Sequence, residues 1–290
     1  MRIGPWFVVV SALLFGSPST SAAPAGRAAV LQQVENSMLV TGTLHIETDG
    51  RVSKVILDKP ELLPAGVAKL VRESAAGWLF EPVLIDAAPR AVAAPMSVRV
   101  VARQRDAGDF EVGIRSASFD QYDEKDRSNL RKLEMAPPHY PEPLYRAGAS
   151  GTVYLLLKVG RDGKVEDVVA EQVNLNFAER EAAMQRFRDM FARNAITAAR
   201  RWTYEIPSEG DQVDRPYWVL RVPVSYQLAD GRSLPDSYGK WQRYVPGPRQ
   251  LPSWRELEDA PGFSPDAIGE GVYLANRANS PKLLSPLGGI

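Results

Sequence analysis

Asp162-Gly163 stands between two apolar runs, and few features constrain a fold more tightly. An Asp-Gly pair suits the positive φ angles of a tight turn, so the flanking runs must pair as antiparallel strands. Upstream, Val153, Leu155, Leu157 and Val159 share one strand face, with Thr152, Tyr154 and Lys158 on the other. Downstream, Lys164 to Ala170 returns as the second strand. A helical period then takes over. Met184, Phe187, Phe191, Ala195, Ala198 and Trp202 recur at spacings of three and four, one long apolar stripe. Past Pro207, a polar loop leads to strict alternation of Trp218, Leu220, Val222, Val224, Tyr226 and Leu228, a half-buried strand.

The same order occurs earlier in degraded form. Val40, Leu44 and Ile46 lie on one face of a strand, Asp49-Gly50 makes the turn, and Val52 to Leu57 returns. A helix starting near Pro64 carries Val67, Leu70, Val71 and Trp78, and proline is well placed in a first helical turn. Met96, Val98 and Val100 close the unit. Trp78-Leu79-Phe80-Glu81 parallels Trp202-Thr203-Tyr204-Glu205, and the helix before it is about three turns longer in the second copy. The expected class is α+β. It comprises two tandem small domains, each a three-stranded antiparallel sheet packed by one helix, followed by an irregular tail.

The expected boundaries are 1–25 for a signal peptide, 36–102 for the divergent first domain and 103–135 for a polar linker. The second domain spans 136–229 and the Pro/Gly-rich tail 230–290. Arg2 and the apolar run Ile3 to Phe15 fit a secretory leader cleaved after Ala22 or Ala25, too short for a span of about 20 residues. The chain contains no cysteine, which excludes disulfides, thiol catalysis and thiolate metal sites. Charge balances at 35 basic against 35 acidic residues, so nothing calls for nucleic acid as a partner. Asp120 to Lys132 reads as a solvated face, and Trp241, Trp254, Leu283, Leu284 and Leu287 are candidates for pinning the tail.

Over Pro137 to Leu228 the motif order is Tyr140-Pro141, Gly148, Gly151, Val153 and Asp162-Gly163-Lys164-Val165. It continues with Ala198-Ala199 before Trp202 and the final alternating strand. That order resembles the C-terminal domain of the TonB family. The first copy matches only from its first strand onward and has no Tyr-Pro motif. The resemblance implies a periplasmic module without enzymatic activity or cofactor, which binds an envelope protein or a receptor peptide by lending or accepting a strand. No Pro-Glu or Pro-Lys run precedes Pro137, as a spacer would require. A repurposed adaptor is therefore the first reading. The alternative is an energy transducer to outer-membrane receptors that keeps its N-terminus as an anchor.

The expected partner-binding residues fall in two places. Val219, Arg221, Ser225 and Gln227 lie on the last strand, whose edge is the leading candidate for augmentation by another chain. Pro223 cannot donate a ladder bond there. The rival place is the corner of Tyr140 and Pro141 with Arg146, which also reads as a packed turn. An exposed edge allows a swapped homodimer as well. No catalytic or metal residue is expected. His45 and His139 belong to no ligand spacing, Asp49 and Asp162 serve turns, and Ser150 and Ser225 lack a nucleophile context. Glu179, Arg180, Glu181, Arg186, Arg188 and Arg193 read as the wet face of the long helix.

Overall fold

The computed structural model describes residues 34–105, 109–120, 122–228, 237–255, 259–275 and 280–288. The leader read over residues 1–25 lies outside them. In the first unit, β1 (Glu35–Ile46) turns at Asp49-Gly50 into β2 (Val52–Leu57), and α1 (Ala65–Ala76) follows with Pro64 at its N-cap. A small hairpin of β3 (Leu84–Ile85) and β4 (Ala88–Pro89) leads to β5 (Val92–Gln104), which runs antiparallel to β1 from Asn36↔Ala102 to Ile46↔Val92. Met38, Val40, Leu44 and Ile46 are buried in one cluster with Val67 and Val71 of α1. Alternation in the strand meets the three-four period of the helix, and the two apolar faces close on each other.

The second unit repeats that construction. β8 (Gly151–Gly160) and β9 (Val165–Leu175) pair through the Asp162-Gly163 turn, and α3 (Glu181–Ala199) crosses one face. The last strand, β11 (Tyr217–Tyr226), pairs with β8 from Tyr217↔Gly160 to Tyr226↔Gly151. Val153, Leu155, Leu157 and Val159 meet Met184, Phe191 and Ala195 in the buried core. Each fully enclosed side chain of this kind stabilises the fold by about 1.5–3 kcal/mol. Before β8 come β7 (Arg131–Glu134), which pairs with β10 (Thr203–Glu205), and the short α2 (Glu142–Arg146).

The two turns are built alike. Gly50 has φ +83° and Gly163 φ +74°. The Gly50 carbonyl accepts from the Phe80 N–H, and the Gly163 carbonyl from the Tyr204 N–H, both at 2.8 Å. A Cβ on Gly50 would lie 1.9 Å from the Phe80 carbonyl oxygen, and one on Gly163 would lie 2.1 Å from that of Tyr204. Trp78 and Trp202 are buried just past the ends of α1 and α3. Their indole N–H groups donate to the Leu287 and Ala136 carbonyls.

Three departures from the sequence expectation matter. The stretch 103–135 is not only a linker, because β6 (Phe110–Ser118) pairs with β5 from Gln104↔Phe110 to Ser97↔Ser118. Its signal is weak because Gly113, Ser116 and Ser118 dilute an edge strand whose apolar residues are Phe110, Val112 and Ile114. α3 has 19 residues against 12 in α1, about two turns more rather than three. The tail, mostly irregular as expected, also supplies strands: β12 (Gln242–Tyr244) beside β1 and β13 (Tyr273–Leu274) beside β11. The sheets therefore run β12-β1-β5-β6, with β2 also on β1, and β13-β11-β8-β9.

The tail is anchored in both cores. Val245 exchanges backbone hydrogen bonds with Leu175 of β9 and is fully buried. Val272 and Leu274 join the second core, and Leu283 joins the first. Trp254 donates to Asp167, Leu287 packs against the first core, and Leu284 points to solvent. Trp241 stays partly exposed.

Candidate partner-binding edge and the cleft beside it

The outer edge of β11 is half closed by the chain itself. Leu220 pairs with Leu274 and Arg221 with Tyr273, and the Val219 carbonyl accepts from the Ala275 N–H at 2.8 Å. Because backbone groups alternate along a strand, the groups of Arg221, Pro223 and Ser225 share this outer side with Val219. Leu220, Val222 and Val224 turn toward β8. The missing N–H of Pro223 thus falls on the outer edge, where it costs the β8 ladder nothing. Beyond β13, the outer backbone groups of Pro223 and Ser225 pair with no other backbone group among the described residues.

This open half borders a cleft of about 290 Å³ between the two sheets. The helix-free faces look toward each other here. Leu39 and Thr41 of β1 and Arg99 of β5 line one wall, with Tyr154, Pro223 and Ser225 of the second sheet opposite. Asp266 lies behind the Arg99 and Tyr244 that line the cleft. It is fully buried, and it accepts from the hydroxyl groups of Tyr244 and Ser116, the latter at 3.2 Å. Its carbonyl takes the Arg99 guanidinium at 2.6 and 2.9 Å. Burial pushes the Tyr154 phenol up to about 12, with Arg99 pulling the other way, so the ring is a neutral donor at any physiological pH.

The expected site residues divide sharply. Ser225 is exposed on the open edge, its hydroxyl 3.2 Å from that of Thr152, and Gln227 is half-buried at the cleft mouth. Val219 and Arg221, expected to face a partner, are instead 2% and 4% exposed. The tail covers them. Arg221 grips Glu171 at 2.7 and 3.1 Å and Asp259 at 2.6 Å, while Arg249 and Arg255 join the same cluster. Burial alone would raise the Asp259 carboxyl, but the Arg221, Arg249 and Arg255 charges outweigh it and hold the carboxyl below its usual range. A strand-alternation argument cannot reveal this, because both partners of Arg221 lie at distant positions in sequence.

The Tyr140 corner is packed. The Tyr140 ring stacks edge-on against Tyr226, Phe191 and Tyr145, and its hydroxyl donates to the Ala149 carbonyl. Pro141 caps α2, and Arg146 reaches back one turn to Glu142 at 2.8 Å on the surface. The corner fixes entry into β8, and none of its three residues lines the cleft beside the open half of β11. His45 is half-buried on its strand and His139 is exposed. Among the described residues no group of three or more His, Cys, Asp or Glu converges as a metal site. Among them, too, no helix is long and apolar enough to cross a membrane.

The fold and site define an α+β unit with a helix on one sheet face and a partly open edge. No protein-family profile matches the chain. It is 33% identical over 100 residues to Protein TonB of Xanthomonas campestris pv. campestris strain B100, covering 34% of this chain and 39% of that relative. The match to Protein TonB of strain ATCC 33913 has the same extent. The chain thus spans about two fifths of the length of these curated relatives. A solution structure of the Pseudomonas aeruginosa TonB CTD aligns at 22% identity and a TM-score of 0.26, covering 37% of this chain and 94% of that one. The chain contains a TonB C-terminal-like domain.

Proposed function

We propose that this chain is a non-catalytic protein-binding module of the cell envelope. It takes an extended segment of a partner as an added strand along the open half of β11, from Val222 to Gln227. The observation that carries the reading is the pair of outward backbone groups at Pro223 and Ser225, which pair with no strand among the described residues and border a cleft. Unpaired edge groups invite another strand, and the neighbouring side chains supply selectivity. Because β13 occupies the first half of the edge, a partner strand would have room for only a few residues. The partner would be an envelope protein or a receptor peptide, engaged in the periplasm after removal of the leader, without cofactor. A second copy of the chain is an alternative occupant. The like construction of the Gly50 and Gly163 turns supports two copies of one ancestral unit, with the first serving as a wall of the cleft.

The second reading is a transducer of energy to outer-membrane receptors, favoured by the 33% identity to proteins named TonB. It requires the N-terminus to be retained. Mass spectrometry of the native N-terminus separates the two: retention of Met1 to Ala22 favours the transducer. For the edge itself, a photoreactive residue at Gln227 should crosslink a partner in living cells. Ser225→Pro removes one outward N–H and spares the β8 ladder, so it should cut that crosslink at least about tenfold. Full crosslinking in the proline variant would rule out strand pairing at this edge.

A further inference from the structure

Arg188 was expected on the wet face of α3, yet its side chain is only 7% exposed, because the tail segment around Pro246 and Gly247 lies over it. Its partners are poor. Nη1 stands 3.5 Å from Glu181, whose side chain is half exposed, and Nη2 stands 3.4 Å from the Pro246 carbonyl. Among the described residues Nε has no partner, although it is sealed from solvent. These distances lie at or beyond the long limit of a useful hydrogen bond. Arg221, by contrast, holds its acids at 2.6–3.1 Å. Burial lowers the Arg188 pKa, with Glu181 offsetting it only in part. A buried guanidinium with five donors and no good acceptor is costly to keep.

Arg188 lines a groove of about 230 Å³ between α3 and β9. Its apolar lining is Val168, Val169, Ala170 and Val173 from β9, Ala192 and Ile196 from α3, and Pro248 from the tail, where Gln250 adds a polar side chain. Gln185 and Asp189 also line it, and the Gln185 amide donates to the Asp189 carboxylate at 2.9 Å. A largely apolar groove that also includes an under-partnered cation in its lining suits a single negative charge carried on a short aliphatic body. The volume is below the range of drug-sized pockets, about 300–1,000 Å³, which limits the body to a short chain. Asp189 and Glu181 stand close enough to disfavour a dianion such as a phosphate monoester.

We propose that this groove binds a monocarboxylate on a short aliphatic chain, with Arg188 as the counter-ion that receives the carboxylate. Two sources share that chemistry: the C-terminal carboxylate of a peptide ending in aliphatic residues, and a medium-chain fatty acid. The site lies beside β9, across the sheet from the β11 edge, and does not depend on strand pairing there.

The test is NMR titration of the full chain, followed at the methyl groups of Val168, Val173 and Ile196 and at the Arg188 Nε–H. The probes are octanoate, 1-octanol, and N-acetyl-Ala-Val-Val as free acid and as amide. Saturable shifts at these groups are expected with octanoate or the acid peptide, and at least about tenfold weaker binding for the uncharged counterparts. Preference for the acid peptide assigns a protein C-terminus, and preference for octanoate assigns a fatty acid. Arg188→Gln should lose binding at least about tenfold, whereas Arg188→Lys retains part of it. Ala192→Leu fills the groove without touching the cation and should abolish binding in a protein that folds normally. Equal binding of octanoate and octanol, unchanged binding in Ala192→Leu, or no shift with any probe would overturn the proposal.

Discussion

Gly163 and Gly148 offer a controlled pair, because both hold positive φ and only one is crowded. Gly163 sits at φ +74° and Gly148 at φ +64°. Alanine costs about 1–2 kcal/mol in the left-handed region at either place, from Cβ sterics alone. At Gly148 nothing lies within 4 Å of the new Cβ, so that is the whole cost. At Gly163 the Cβ would stand 2.1 Å from the Tyr204 carbonyl oxygen, and that oxygen is backbone, held beside the Gly163–Tyr204 hydrogen bond of 2.8 Å. Relieving the overlap means separating the turn from the residues after α3, with loss of that bond, worth about 1 kcal/mol, and loosening of the packing at Trp202. Gly163→Ala should therefore cost about 3 kcal/mol or more, at least about 1 kcal/mol beyond Gly148→Ala. Urea unfolding followed by tryptophan fluorescence and circular dichroism gives both values. Equal destabilisation by the two alanines would refute the close-approach argument.

Other consequences follow from the buried charges and the tail. Arg221→Met leaves Glu171 fully buried with only Arg249 to meet it, and should destabilise by about 3 kcal/mol in urea unfolding. Leu283→Ala opens a cavity where the tail enters the first core, at about 2–4 kcal/mol, and should speed proteolysis of the tail if that anchor matters. Because the Asp259 carboxyl is depressed in the folded chain, its stabilisation is complete above the ordinary carboxylate range and disappears as pH falls through the lowered value. Thermal unfolding across the acid range should thus show a steeper loss for the parent chain than for Asp259→Asn.

What sequence reasoning could see was local. β8, β9, α3 and β11 announce themselves because one face of each is apolar at the proper period and a single glycine turn sets their pairing. The cores around Phe191 and around Val67 followed directly. β6 was hidden because small and polar residues, Gly113, Ser116 and Ser118, fill most of its buried positions, and β12 and β13 because two- and three-residue strands carry no period at all. The same blindness explains Val219 and Arg221. Alternation puts them on a strand face, but only the distant Asp259 and the tail decide whether that face is wet. Arg188 failed for the mirror-image reason: its helix position looked solvated until a segment about sixty residues downstream lay across it. Ser225 is exposed and Gln227 half-buried, and both line the cleft between the sheets.

Amide hydrogen exchange at Ser225 bears most directly on the central claim. Its outward N–H should exchange quickly in the free chain, while the inward N–H groups of Val222 and Val224 stay protected by β8. On adding the partner identified by crosslinking, exchange at Ser225 should slow by at least about a hundredfold, with Val222 and Val224 unchanged. A Ser225 amide already protected in the free chain, or one that stays fast in a saturated complex, would contradict strand addition at this edge.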